Sequence, residues 1–174
     1  MIPDELVTLA IEAAEEGLGT GELPIGAVVV LGDEVIGRAY ARERTERRRL
    51  VHADQLALEQ ADRVLGLGQP RRRAAGAGSL WLGINLEPCL MCLGTAMVLG
   101  VDHIYYGLEA PSDGAAGVGR LWRPARPDRW FSEVPPLTGG VLRDRCRDQF
   151  VRYVQSAPDS GFRAWATGLA ELPA

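Results

Sequence analysis

Two short segments constrain this chain more than anything else in it: His52-Ala53-Asp54 and, after room for a helix, a loop and a strand, Pro88-Cys89-Leu90-Met91-Cys92. One imidazole and two thiolates make a three-ligand zinc site and leave the fourth tetrahedral position to water. An open site of this kind is catalytic in type, because water held there ionises near neutral pH and becomes a nucleophile. His52, Cys89 and Cys92 are therefore the candidate ligands, and Asp54 is the acid beside them. A lone C-x-x-C also reads as a redox pair or as half of a structural zinc site. The His-x-Asp that precedes it favours the open zinc site.

The spacing predicts where these groups lie. Val51 to Val64 reads as a helix with Ala53, Ala57, Ala61 and Val64 on one face, which places His52 in its first turn. Pro88 suits the first turn of a second helix and Gly100 its end. Cys89 and Cys92, three apart, then face one side of that turn. Two helix N-termini converge on the metal in this arrangement, and their dipoles favour thiolate over thiol.

The remaining pattern is that of one α/β domain over residues 1–174. Asp4 to Leu18 reads as an amphipathic helix ended by Gly19. Ile25 to Leu31 and Val35 to Tyr40 read as a hairpin turning at Gly32-Asp33-Glu34. Gly66 to Gly78 reads as a loop, Leu80 to Leu86 and Val101 to Tyr106 as strands, and Gly107 to Gly119 as a glycine-rich loop. Val141 to Val154 and Phe162 to Leu172 read as helices. Such alternation implies a sheet with parallel pairs and helices on both faces, with the metal motifs at strand ends.

Composition narrows the setting. No apolar run is long enough to span a membrane. The N-terminus lacks the pattern of a signal peptide. Three cysteines, two of them candidate ligands, give no disulfide framework, and Cys146 reads as a core residue. A cytoplasmic protein is expected. The net charge of −4 argues against a nucleic-acid partner. Two basic clusters stand apart from that balance: Arg42 to Arg49, with five arginines and two glutamates, and Arg71-Arg72-Arg73. They suit a phosphate or a nucleic-acid backbone or, more blandly, solvated loops. His103 reads as a packing residue, and Trp122, Trp130 and Phe131 as either core or base-stacking groups.

Taken together, Leu23-Pro24-Ile25-Gly26-Ala27-Val28-Val29-Val30, Val35-Ile36-Gly37, His52-Ala53-Asp54, Leu86-Glu87-Pro88-Cys89-Leu90-Met91-Cys92 and Gly114-Ala115-Ala116-Gly117 resemble the cytidine deaminase-like superfamily. Within it they are most similar to the tRNA adenosine deaminase and guanine deaminase branch. The resemblance covers residues 4–155 and leaves 156–174 as an extension whose Trp165 covers either an active site or an interface. It implies a three-layer α/β/α fold with a five-stranded mixed sheet, one Zn2+, and a homodimer with its interface near the active site. It also implies hydrolytic deamination of a small base or nucleoside of purine, pyrimidine or triazine type, releasing ammonia. Substrate contacts would fall at Ile25, Ala41, Ala53, Leu86 and Glu87.

Two departures from the family pattern bear on activity. The family's substrate-binding asparagine falls at Ala41, or at best at its neighbours Arg42 and Glu43, so a hydrogen-bonding group is replaced by a methyl. The family's proton-shuttling glutamate is Asp54, shorter by one methylene or roughly 1.5 Å. A misplacement of about 1 Å can cost on the order of 10²-fold in rate. Asp54 remains the expected shuttle, ahead of Glu87. Editing of adenosine or cytidine in RNA, and a non-catalytic zinc-binding role, are the alternatives.

Overall fold

The computed structural model of the chain describes residues 1–67, 78–123, 125 and 133–173. Helix α1 (Pro3–Gly19) leads into β1 (Gly26–Leu31) and β2 (Glu34–Tyr40), the expected hairpin. Then come α2 (Ala53–Leu65), β3 (Leu80–Leu86), α3 (Leu90–Leu99) and β4 (His103–Leu108). The chain closes with α4 (Ala116–Leu121), β5 (Leu137–Thr138), α5 (Arg143–Ser156) and α6 (Gly161–Ala170). The sheet has five strands in the order β2-β1-β3-β4-β5. β1 is antiparallel to β2 and β3, whereas β3–β4 and β4–β5 are parallel, so the sheet is mixed.

Helices cover both faces, and β1 shows why its sequence is apolar throughout. Ala27 and Val29 pack with α2 and α3, while Val28 and Val30 pack beneath Leu6 and Ala10 of α1. A strand covered on both sides has no polar face to alternate with. Two glycines set how closely the helices approach. A Cβ on Gly26 would lie 2.2 Å from the Ala10 carbonyl oxygen, and one on Gly37 would lie 2.1 Å from that of Ala57. Only glycine allows α1 and α2 to seat at that depth on β1 and β2.

A buried polar chain ties the sheet to the α1–α5 layer. The Asn85 Oδ1 accepts the Gly26 N–H at 2.9 Å, and its Nδ2 donates to the Pro24 carbonyl at 2.7 Å and to Gln149 Oε1 at 2.9 Å. Gln149 Nε2 in turn donates to the Ile11 carbonyl and to Glu15. Every polar group here has a partner, which is what makes their burial affordable.

Two elements were not legible in advance. The expected Gly107–Gly119 loop gives up its start to β4 and its end to α4, a six-residue helix holding Gly117 and Gly119. β5 has two residues and too little pattern to detect. Val64, expected on the buried face of α2, is 63% exposed in the last turn, and Leu58 is buried instead. Among the described residues no helix is long and apolar enough to cross a membrane. Most of the Gly66–Gly78 loop, with Arg71-Arg72-Arg73, lies outside the described residues, as do Trp130 and Phe131.

Candidate metal centre and catalytic pocket

The ligand candidates sit at helix mouths, one step earlier than the expected first turn. His52 is the N-cap of α2, with extended backbone at φ −63 and ψ 152. Cys89 is the N-cap of α3, at φ −72 and ψ 171, and Cys92 lies in that helix's first turn. The extended N-cap conformation lets a side chain turn across the helix mouth. The Cys89 and Cys92 Sγ atoms are 3.4 Å apart, and each is 3.7 Å from His52 Nδ1. A tetrahedron with Zn–S near 2.3 Å and Zn–N near 2.0–2.1 Å has edges of about 3.5–3.8 Å. The two nitrogen–sulfur distances fall in that range and the sulfur–sulfur distance is slightly shorter, so the three donors could hold zinc on one face of a tetrahedron, with Nδ1 as the imidazole donor.

The electrostatics show the three donors coupled to one another. The Cys89 thiol is pushed down to about 4, first by the hydrogen bond from Cys92 and then by the His52 ring, so thiolate is favoured. The same contact pushes Cys92 the other way. The Cys89 sulfur, against the cost of burial, pushes His52 up to about 9. Asp54 is 2% exposed, and burial pushes its carboxyl up to about 6. A shielded carboxyl beside the donors has the position a proton carrier needs.

A cavity of about 640 Å³ opens over the donors. It is lined by His52, Asp54 and Cys89, by the apolar Leu23, Ile25, Ile84 and Leu86, and by Phe162 and Trp165 of α6. Trp165 is braced edge-on against Phe150 of α5, ring centroids 6.2 Å apart. The C-terminal extension therefore builds part of the pocket.

The five expected substrate contacts divide. Ile25 and Leu86 line the cavity. Ala41 and Ala53 are fully buried in core clusters and do not line it. Ala41 follows the last residue of β2, and its N–H bonds the Ile25 carbonyl at 3.0 Å. Glu87 reaches the cavity wall, but its oxygens accept the Ala116 N–H at 2.8 Å and the Ala110 N–H at 3.1 Å. It fastens the 110–116 segment to the cysteine loop, where Ala115 N–H also bonds the Pro88 carbonyl.

Glu43, named from the sequence only as a neighbour of Ala41, is a further residue of the site. Its side chain is 9% exposed, one oxygen faces His52 Nε2 at 3.7 Å, and Oε2 is buried without a hydrogen-bond partner among the described residues. Burial raises its carboxyl above the usual range. It lies two residues beyond Ala41 and lines the cavity that Ala41 does not. Only its place beside Ala41 hinted at this. His103 is remote, stacked on Tyr105 and bonded to Thr138, and Cys146 is buried in the core with its thiol pushed up to about 12.

An α/β/α sandwich with one imidazole and two thiolates at two helix mouths defines the zinc-dependent deaminase class, hydrolases acting on C–N bonds. Residues 2–108 match the family model of the cytidine and deoxycytidylate deaminase zinc-binding region, and the chain belongs to that family. It is 35% identical over 147 residues to a tRNA-specific adenosine deaminase of Bacillus subtilis, covering 84% of this chain and 85% of that protein. A solved structure from work on A-to-I editing by tRNA:A34 deaminases at the wobble position matches with a TM-score of 0.68 and 26% identity, covering 83% of this chain and 98% of that one. The guanine deaminase of Nitrosomonas europaea matches in fold, with a TM-score of 0.67, 22% identity, and coverage of 87% and 84%. The tRNA-directed relatives run against the expectation of no nucleic-acid partner. Net charge sums the whole surface and is silent about a local patch.

Proposed function

We propose that this protein hydrolytically deaminates a small amine-bearing base or nucleoside, with Asp54 as proton carrier. The observation that supports a small substrate is the α6 wall. The chain itself supplies Ser160, Gly161, Phe162 and Trp165 to bound the cavity. A cavity of about 640 Å³ with apolar sides and a few polar groups has the character of a small-molecule site.

His52, Cys89 and Cys92 would hold the zinc, which supplies the Lewis acidity that makes water a nucleophile near neutral pH. The chain's residues do the rest. Ile25, Leu86 and Trp165 hold the ring so that its amine-bearing carbon faces the donors. Asp54 takes a proton from the attacking water and passes it to the adjacent ring nitrogen. It then moves the second water proton to the amine, the C–N bond breaks, ammonia leaves, and a ring carbonyl remains. Asp54 lies in the first turn of α2, beside the Cys92 thiol.

The test is ammonia release from a panel of amine-bearing bases and nucleosides. Turnover of at least one of them, lost in Asp54→Ala, is expected. A second reading, deamination of adenosine in tRNA, is favoured by the Bacillus subtilis relative. Inosine formation in tRNA, with no turnover of any free compound, would replace the first reading. The homodimer is also a proposal. The exposed apolar side chains of Leu90, Val98, Val118, Leu121 and Trp122 support it, and light scattering tests it.

A further inference from the structure

A second cavity, about 270 Å³, adjoins the first. Arg47, Arg48 and Arg49 line it together with Glu43, His52 and Phe162. The last three also line the catalytic cavity, so the two meet beside the metal ligand.

The loop that carries these arginines is fixed in place. Glu22, 1% exposed, accepts the Arg44 N–H at 3.0 Å and the Thr45 N–H at 2.5 Å. Arg42 N–H bonds the Val51 carbonyl, Glu46 N–H that of Arg42, and Arg48 N–H that of Glu43. Arg47 is held at φ 53, a left-handed backbone that residues other than glycine seldom adopt. The charge is only partly cancelled. Glu46 serves both Arg48, at 3.0 Å, and Arg42, at 3.8 Å, while Arg47 and Arg49 have no ion-pair partner among the described residues. Guanidinium groups held in this way suit the planar, two-pronged recognition of phosphate. The Glu43 carboxylate at the boundary repels an anion on its own side but offers an acceptor to a neutral hydroxyl or N–H.

We propose that the Arg47–Arg49 cleft is a phosphate subsite of the catalytic pocket, so that the molecule deaminated is a phosphorylated nucleoside. The base would lie over His52 and Asp54, and the phosphate would lie among the arginines. This rests on the deaminase reading above and narrows its substrate class. The phosphate could belong to a free nucleotide or to an RNA strand.

The experiment uses zinc-loaded protein and calorimetric titration with matched pairs. These are adenosine, cytidine and guanosine and their deaminated products, each with its 5′-monophosphate, and a short single-stranded RNA. At least one monophosphate should bind tenfold or more tighter than its nucleoside. That preference should fall at high salt and collapse in Arg47→Gly/Arg49→Gln, where glycine suits the left-handed backbone. Arg47→Lys/Arg49→Lys should keep part of it. Zinc content and thermal unfolding report that each variant is folded. Equal binding of nucleosides and monophosphates without arginine-dependent RNA binding, or an Arg47→Gly/Arg49→Gln variant that keeps the preference, would overturn the proposal. Ammonia release from no compound, with the arginine-dependent preference intact, would leave the subsite standing and remove the deaminase reading. Arginine-dependent binding of the RNA alone would also uphold the subsite and assign its phosphate to a strand.

Discussion

The two sides of the catalytic pocket are built in opposite ways. The metal side is local: two helix mouths, each fed by a short segment, bring His52, Cys89 and Cys92 within 3.7 Å of one another. The substrate side is assembled from afar. The 43–49 loop is pinned by Glu22, which lies beyond the end of α1, and Trp165 is braced by Phe150. The metal side decides the reaction, because ligand identity and a nearby carboxyl fix what chemistry is possible. The substrate side decides what is deaminated. One fold can carry different substrate sides, and the tRNA-directed deaminase structure and the guanine deaminase both match this fold.

The largest effects should come from the metal side. Cys92→Ala removes a buried ligand, and elemental analysis should find zinc lost together with all ammonia release. Next is Asp54→Ala, which should retain zinc yet lose about 10²–10⁴-fold in kcat, the usual contribution of a general acid–base group. Asp54→Glu sharpens the contrast. Lower activity would mean that the pocket has closed in on the shorter acid, and higher activity that it has not. Full activity in Asp54→Ala would break the assignment.

A smaller and different effect is expected from the substrate side. Trp165→Ala should raise KM for a small substrate by about tenfold with kcat nearly unchanged, the mark of lost uniform binding. An unchanged KM would mean that α6 is only a support. The smallest effect lies away from the pocket. The Arg152 guanidinium holds the Glu15 carboxyl below its usual range. A lowered folded-state value means the contribution is present above the unfolded-state value and is lost as pH falls through the folded one. Both side chains are about half exposed, at 51% and 40%, so it should amount to less than about 1 kcal/mol. Thermal unfolding of Glu15→Gln should show a small deficit near neutral pH that shrinks in acid.

Much of the scaffold was legible because its signals are periodic and local. Gly19 and Gly100 marked helix ends, the valine run marked a strand covered on both faces, and the ligand set was readable from residue type and spacing. What failed was short or non-periodic. β5 has two residues, α4 is rich in glycine, and the N-cap places of His52 and Cys89 differ from a first turn by a single residue. Substrate contacts failed for a related reason. A resemblance places a residue in line with a contact but does not aim its side chain, so Ala41 and Ala53 went to the core while Glu43 faced the cavity.

The sequence by itself determined the α/β pattern, the zinc donors and the acid that accompanies them, because each depends on residue type and on spacing within one or two turns of helix. Only the tertiary structure decided that α6 would wall the pocket, that Glu87 would fasten a loop, and that a buried Glu43 oxygen and three arginines would meet beside His52. Those outcomes depend on packing between segments far apart in the chain, and no local period records which distant surfaces will touch.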